Sequence, residues 1–291
     1  MQIAVASGKG GVGKSNFSAS LAYLLSQEKK VIAIDADADT PNLDILLPYK
    51  EIYKKLPLLG EKVAKIDMSK CTLCLKCLKN CPYEAIKLEN GKLKVIEPIC
   101  EGCLVGKILC ETDAISFVPT IPGYVYIGDT IYKNLRLIKA ESLPGRPNTG
   151  KLVAYAKQIA KEFQKDVTIL DSAAGIGCSV IASISGVNFV ILILEPTLTS
   201  FEDGKRLLKI IKNFKLSFGF VINKYDLNKP LSEKIKNFFE EEKGTFLGVL
   251  PYDEKVIEAD ILGKPPVLIE GEYKKYFMNI YKNIKDKVLK F

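Results

Sequence analysis

A glycine-rich run close to the amino terminus has the residue types of a phosphate-binding loop. It reads Gly8-Lys9-Gly10-Gly11-Val12-Gly13-Lys14-Ser15, after an apolar strand-like segment and before a helical pattern. Glycines let backbone N–H groups approach phosphate oxygens, and the amino end of a helix adds partial positive charge. In a loop of this kind Lys14 binds the β- and γ-phosphates and the Ser15 hydroxyl binds Mg²⁺. The run therefore predicts a nucleoside triphosphate site, with a ligand-free glycine turn as the alternative.

Carboxylates follow two other apolar runs. Val31–Ile34 leads into Asp35 and Asp37, and Val167–Leu170 leads into Asp171. Side chains just beyond the carboxyl end of a strand face the ligand crevice of a doubly wound sheet. We therefore expect these three carboxylates at the same crevice as the glycine-rich loop.

With its second lysine the loop reads KGGVGKS, and it resembles the deviant Walker A motif of the MinD/ParA/Mrp ATPases and the nitrogenase iron protein. The resemblance implies that Lys9 reaches the ATP of a partner subunit, so that ATP binding closes a homodimer. It implies further that Asp35 and Asp171 support Mg²⁺ and that Asp37 positions the attacking water. The catalytic set implied by the resemblance is Lys9, Lys14, Asp37 and Asp171.

A third strand end carries residues that could select the base. The stretch Asn223-Lys224-Tyr225-Asp226 fits the guanine-reading NKxD motif of GTPases when taken by itself. The resemblance to MinD-like ATPases instead implies that Asn223 contacts adenine and that Pro251 belongs to the loop that cradles the base. ATP is favoured, GTP is the alternative, and a plain strand-ending turn at Asn223 stays open.

The cysteines form the second constellation that could do chemistry. The sequence has eight cysteines and no histidine, and every cysteine except Cys178 lies between Cys71 and Cys110. The spacing Cys71-x2-Cys74-x2-Cys77-x3-Cys81-Pro82 is the bacterial ferredoxin pattern, whose fourth cysteine binds the other cluster. A first [4Fe–4S] cluster is therefore predicted on Cys71, Cys74, Cys77 and Cys110. Zinc is the alternative.

A second copy of the cysteine pattern is incomplete. Cys100 and Cys103 repeat the first two positions, but Gly106 stands where the third cysteine is expected. The predicted second set is therefore Cys81, Cys100 and Cys103. Because glycine offers no ligand, we expect this site to hold a [3Fe–4S] cluster, a [4Fe–4S] cluster with an outside ligand, or no cluster.

Cys178 stands apart from this group, shortly after Asp171. The nitrogenase iron protein has a cysteine at the same offset, which it uses to hold a cluster between subunits. Because no second cysteine accompanies it here, we interpret Cys178 as a small buried thiol. A relay between nucleotide and cluster is the alternative.

Apolar runs alternate with helical patterns along most of the chain, which is typical of an α/β fold with a mostly parallel, doubly wound sheet. The alternation stops between 66 and 119, where short cysteine-rich turns replace it. The sequence therefore predicts a P-loop ATPase domain formed by 1–65 and 120–291, interrupted at 66–119 by a small inserted ferredoxin-like α+β module. Strands are predicted at Ile3–Ala6, Val31–Ile34, Val167–Leu170, Val187–Leu194, Phe218–Ile222 and Phe246–Leu250.

Charge and hydropathy restrict the partners. The formal net charge is +8, but the only arginines are Arg136, Arg146 and Arg206, and arginine is the usual residue for phosphate and base contacts. Nucleic acid is therefore not expected as a partner. No run reaches the roughly 18 apolar residues of a membrane span, and no signal peptide is recognisable, so a cytoplasmic protein is predicted. We interpret the amphipathic Tyr273–Phe291 stretch as a domain-closing helix, with membrane targeting as the alternative.

These features give a hypothesis and two alternatives. The hypothesis is a homodimeric ATPase in which the nucleotide state controls an iron–sulfur electron-transfer module that serves an unknown redox partner. The first alternative is an Mrp-like carrier that delivers clusters to apo iron–sulfur proteins. The second is a ParA-like positioning protein with a redox sensor.

Overall fold

The chain divides into two compact units. The computed structural model describes residues 1–145 and 148–289. The first unit comprises Met1–Leu56, Tyr124–Ser142 and Thr149–Phe291. The second comprises Pro57–Gly123 with the described part of Leu143–Asn148. The stretch 66–119 that the sequence singles out lies within the second unit.

The secondary structure alternates between strands and helices. The strands are β1 (Gln2–Ser7), β2 (Val31–Ala36), β3 (Tyr49–Leu58), β4 (Lys62–Ile66), β5 (Ile86–Glu89), β6 (Lys92–Val95), β7 (Ile115–Pro119), β8 (Gly123–Thr130), β9 (Leu135–Ser142), β10 (Val167–Ala174), β11 (Phe189–Leu194), β12 (Ser217–Asn223) and β13 (Thr245–Leu250). The helices are α1 (Lys14–Ser26), α2 (Leu43–Leu46), α3 (Lys76–Lys79), α4 (Val105–Ile108), α5 (Thr149–Ala160), α6 (Cys178–Ile184), α7 (Leu198–Asn213), α8 (Lys229–Glu241), α9 (Lys255–Ile261) and α10 (Glu272–Ile284).

A large sheet organises the first unit. Its strand order is β13-β12-β11-β1-β10-β2-β9-β8-β3, and the pairings from β13 to β9 are parallel. The central strands are buried almost throughout, because a parallel sheet is covered on both faces and its strands are continuous apolar runs. The predicted α/β class with a mostly parallel sheet is confirmed. The order also places β1, β10 and β2 side by side, so that their carboxyl ends meet.

The carboxyl-terminal helix closes the core of the first unit. Tyr273, Phe277 and Ile280 of α10 are buried, and the Phe277 ring lies 5.0 Å from the ring of Phe17 in α1. This face therefore packs in the protein interior, as the interpretation of a domain-closing helix requires; Phe291 lies outside the described residues. Among the described residues, none of the helices is long and apolar enough to cross a membrane.

The second unit is built from two small antiparallel pairs. Strand β4 pairs with β7, and β5 pairs with β6. A small apolar cluster is buried between them, around Cys77, Leu93 and Ile115. The pairing of β4 with β7 begins at Lys62, opposite Pro119. Strand β4 is too short and too polar to be recognised in the sequence. The structure identifies it by its hydrogen-bonded pairing with β7.

Candidate nucleotide site and cysteine-lined cavities

The glycine-rich loop joins β1 to α1, where the sequence places it. Gly13 has a φ of +90°, and a Cβ atom there would lie 2.5 Å from Asn223 Nδ2. A Cβ atom at Gly8 would lie 2.3 Å from the backbone carbonyl carbon of Asp203. Both positions therefore require glycine, one for its backbone angle and its neighbour and the other for the close approach of α7.

Asn223 holds the loop from the end of β12, which is separated from β1 by β11 in the sheet. Its side-chain amide donates to the Val12 carbonyl at 2.8 Å, and its side-chain oxygen accepts from the Lys224 backbone N–H at 2.9 Å. One amide N–H stays available for another acceptor. The structure thus gives Asn223 a role in holding the loop, which the base-contact prediction did not include.

Asp171 lies inside β10, which continues beyond the predicted strand end to Ala174, and it is beside the start of α1. The Ser18 hydroxyl donates to Asp171 Oδ1 at 2.9 Å, and the nearby Ser15 hydroxyl lowers the pKa of this carboxyl group. Burial raises the pKa of Asp171, while the nearby charge of Lys14 opposes that shift. The predicted loop lysine, serine and Walker B aspartate are therefore brought together.

Asp35 is directly opposite Asp171 in the register of β2 with β10. Its carboxylate accepts backbone N–H groups of Asn42 (2.9 Å) and Leu43 (2.8 Å), which shapes the segment that follows β2. Burial and the neighbouring charge of Asp171 raise the pKa of Asp35 well above its usual value. The half-buried Asp37 lies in the following turn, and burial raises its pKa against the charge of Lys14.

Lys9 has a partner that the sequence analysis missed. Its Nζ lies 2.8 Å from Glu195 Oε1, and Lys224 Nζ lies 3.4 Å from Glu195 Oε2. Burial would raise the pKa of Glu195, but the hydrogen bond from Lys9 and the charges of Lys224 and Lys9 hold it below its usual value. Glu195 directly follows β11, so the strand-end rule that found Asp35 and Asp171 also applies to it.

The region predicted to hold the base lies beyond β12 and β13. Pro251 and Tyr252 line a cavity together with Asp226 and residues of α9. Asp226 Oδ1 accepts the Tyr252 backbone N–H at 2.8 Å, which ties the two loops together. The carboxylate that a guanine-reading motif would offer to the base is therefore engaged by the protein itself.

The interpretation of Cys178 as a buried thiol is wrong. Cys178 is exposed at the first residue of α6, after a loop that contains Gly175 and Gly177. The surface location of this loop exposes the thiol. The buried apolar residues Val180 and Ile184 come later in α6, so their burial does not extend to Cys178 at its first position.

Two cavities in the second unit are lined by cysteines. Cys71, Cys74, Cys77 and Cys110 line the first, and Cys81, Cys100, Cys103 and Gly106, together with Cys77, line the second. Within residues 1–145 and 148–289, no three cysteine or acidic side chains converge as ligands for a single metal ion. A cubane cluster makes a different demand, because its thiolates bind separate corners of the cluster and do not converge on one ion.

Backbone N–H groups point at several of these sulfurs. Ala85 donates to Cys81 Sγ at 3.3 Å, and Ala114 donates to Cys110 Sγ at 3.3 Å. Burial would raise the pKa of Cys110, but hydrogen bonds from Ala114 and Thr112 lower it. Burial raises the pKa of Cys77. Donors directed at sulfur favour the thiolate form that metal binding needs.

A phosphate-binding loop between the first strand and first helix of a parallel sheet, with aspartates at the adjacent strand ends, defines the P-loop nucleotide-binding class. The chain belongs to the CobQ/CobB/MinD/ParA nucleotide binding domain family, which matches residues 3–267. An uncharacterized protein of Methanocaldococcus jannaschii is 36% identical over 228 residues, covering 78% of this chain and 79% of that protein.

More distant similarities point to the same family. The septum site-determining protein MinD of Thermotoga maritima is 26% identical over 302 residues, covering 97% of this chain and 87% of that protein. The solved structure of the septum site-determining protein MinD of Pyrococcus horikoshii, complexed with Mg-ADP, matches with a TM-score of 0.62 at 18% identity. The match covers 99% of this chain and 96% of that one, and at this identity it shows the fold alone.

Proposed function

We propose that the protein binds and hydrolyses ATP as a homodimer and that its nucleotide state controls an iron–sulfur electron-transfer module. The observation that carries the proposal is the presence, in one chain, of a phosphate-binding loop and of a cavity lined by Cys71, Cys74, Cys77 and Cys110. Neither a nucleotide-binding domain nor a ferredoxin module needs the other to fold. Their combination in one chain favours coupled activities.

On the nucleotide side, backbone N–H groups from Gly8 to Gly13 surround the phosphates, and Lys14 neutralises their charge. Ser15, Asp35 and Asp171 would hold the Mg²⁺ that accompanies the nucleotide, and the ion would neutralise charge on the phosphates. Asp37 orients the water that attacks the γ-phosphorus, and ADP with phosphate leaves. The effects of Ser15 and Lys14 on the pKa of Asp171 support this assignment, since both residues act on a carboxylate that would help to hold the ion.

Two observations favour adenine over guanine. Asp226, the residue that would read guanine, accepts the Tyr252 N–H, and the MinD structure that shares this fold contains Mg-ADP. Asn223 keeps one amide N–H for the base, and Pro251 lines the adjoining cavity.

The donor set of the first cavity fits a [4Fe–4S] cluster. It offers four thiols and a sulfur-directed N–H, and it borders the apolar cluster of Cys77, Leu93 and Ile115. When bound, the cluster supplies one-electron chemistry, taking an electron from an external reductant and passing it to a redox partner. The residues of this chain hold it, exclude water on the apolar side and donate hydrogen bonds that set its potential.

The test is iron analysis and electron paramagnetic resonance on anaerobically purified, reduced protein, before and after MgATP. We expect iron in the protein and a spectrum that changes with MgATP. A Lys9→Ala variant is expected to keep the iron and lose the change, because the contact across the dimer is lost. Protein that contains no iron, or a spectrum that does not change when MgATP is added, would contradict the proposed coupling.

A cluster carrier is the second candidate, and the lack of a protein ligand at Gly106 favours it. A site with three cysteines releases its cluster more readily than a site with four. Anaerobic incubation with an apo-ferredoxin distinguishes the candidates. A carrier transfers its iron and sulfide to the acceptor when MgATP is added, whereas an electron-transfer protein keeps both.

A further inference from the structure

We propose that the corner of the second cavity at Gly106 is an open coordination site for a small anionic ligand from solution. The inference rests on the proposed iron–sulfur function. Cys81, Cys100 and Cys103 would bind three irons of a [4Fe–4S] cluster, and Cys77, which also lines this cavity, is assigned to the first cluster. The ligand would therefore bind the fourth iron.

The backbone around Gly106 matches the backbone of the complete site. Helix α3, which carries Cys77, follows Leu75 with a φ of +59°, and α4, which carries Gly106, follows Leu104 with a φ of +68°. In both, the N–H four residues after this leucine donates to its carbonyl at 3.0 Å. The two copies of the cysteine pattern therefore have the same local backbone here, and they differ in the side chain, which is Cys77 in the first copy and absent at Gly106 in the second.

Neither space nor backbone angle requires glycine at Gly106. Its φ is not in the left-handed region, and a Cβ atom there would lie 3.4 Å from both Cys77 Cβ and Ile115 Cδ1. These are ordinary van der Waals distances, so the Cβ atom of a cysteine has room there. The missing thiol is thus not a consequence of packing, in contrast to Gly13, where a Cβ atom has no room.

A positive charge accompanies the missing thiol. Lys107 lines the second cavity, whereas Leu78, at the corresponding place in the first half, packs on the apolar cluster. Lys107 is exposed and has no ion-pair partner within residues 1–145 and 148–289. A lysine beside an open coordination position attracts an anion through charge.

The open corner can be reached from solvent. Cys103, Leu104 and Lys107 line the cavity and are exposed. A small ligand from solution would enter past these three residues.

Binding of ¹³C-labelled cyanide to the anaerobic, reduced full-length protein tests the proposal. Cyanide is a small anion that binds an open iron, and ¹³C hyperfine coupling reports binding independently of ATPase activity. We expect the coupling in the wild-type protein. Gly106→Cys is expected to abolish it at unchanged iron content, because the new thiol fills the corner. Lys107→Leu, which copies the first half, is expected to weaken cyanide binding roughly five-fold.

Iron content distinguishes failure of this inference from failure of the proposed iron–sulfur function on which it rests. With both clusters present, roughly eight irons per chain are expected. Protein that holds no iron overturns the proposed function and this inference together. Protein with both clusters but without ¹³C coupling overturns the inference alone, as does equal coupling in Gly106→Cys. A wild-type second site that stays at three irons after ferrous iron is added also overturns it.

Discussion

Lys9 and Glu195 form an ion pair within a single chain, with 2.8 Å between Lys9 Nζ and Glu195 Oε1. The Glu195 side chain is only 10% exposed, and Lys224 approaches its other oxygen at 3.4 Å. The lysine that would contact the ATP of a partner subunit is therefore held by its own chain. The proposed contact across a dimer requires Lys9 to leave Glu195, and on that proposal the pair would oppose dimer closure.

We predict that Glu195→Gln strengthens ATP-dependent dimerisation. The substitution keeps the shape of the side chain but removes the charge that holds Lys9. An ion pair of this partial exposure contributes about 1 kcal/mol. One pair breaks in each subunit, so a roughly thirty-fold lower dimer dissociation constant is expected. Sedimentation velocity with a non-hydrolysable ATP analogue measures it.

Glu202→Gln is the matched control, since Glu202 pairs with Lys205 on the surface of α7, 2.7 Å away. It removes the same charge from the same unit and is expected to leave the dissociation constant unchanged. Equal or weaker dimerisation of Glu195→Gln would contradict an opposing role for the Lys9–Glu195 pair.

We predict that Gly13→Ala abolishes most nucleotide binding. The new Cβ atom would displace the Asn223 amide and break its hydrogen bond to Val12, at a φ of +90° that alanine disfavours. Loss of this buried hydrogen bond costs about 1–3 kcal/mol, or roughly five-fold to 150-fold in affinity. Titration with a fluorescent ATP analogue measures the loss.

Gly186→Ala separates backbone strain from the collision. Gly186 has a φ of +71°, but a Cβ atom there meets nothing within 4 Å. It is expected to cost about 1 kcal/mol of stability and to leave nucleotide affinity unchanged. Wild-type affinity in Gly13→Ala would show that Asn223 does not hold the loop.

The sequence predicts the features that depend on local pattern. The phosphate loop is recognisable because its glycines and lysines are consecutive. The buried strands are recognisable because a central parallel strand such as Val31–Ala36 is apolar except at Asp35 and is buried along its whole length. Asp35 and Asp171 follow from the rule for strand ends.

The features that the sequence does not reveal depend on distant residues. The Lys9–Glu195 pair joins two strand ends that become neighbours only when β1 and β11 pair. Strand β4 is defined by its pairing with β7 across the whole cysteine-rich stretch. The exposure of Cys178 depends on where its loop reaches the surface, which hydropathy along the chain does not report.

We predict that Lys157 makes stability rise with pH in the alkaline range. Lys157 donates to the carbonyls of Ala182 (2.8 Å) and Ser183 (3.0 Å), and burial lowers its pKa to about 8. A lysine in the unfolded chain keeps its proton up to about pH 10.4. Between these values the unfolded state binds more protons than the native state, so raising the pH favours the native state.

Thermal unfolding of wild type and Lys157→Met at about pH 7 and about pH 9.5 measures the effect. The difference in Tm, wild type minus variant, is expected to increase at the higher pH. Lys209→Met, at an exposed position of α7, is expected to give a difference that does not change. A constant difference for Lys157→Met would mean that Lys157 titrates alike in both states.

We predict that iron removal destabilises the second unit and spares the first. The second unit encloses only a small apolar cluster around Cys77, Leu93 and Ile115, so bound clusters would supply much of its folding free energy. The first unit has its own extensive core, which the cysteine-rich stretch does not enter.

Calorimetry before and after anaerobic chelation should therefore show one transition shifting to lower temperature and the other staying in place. MgATP identifies the transition that stays, because it raises the Tm of the unit that binds it. If chelation moves both transitions equally, the two units unfold together and the first unit's stability depends on the clusters as well.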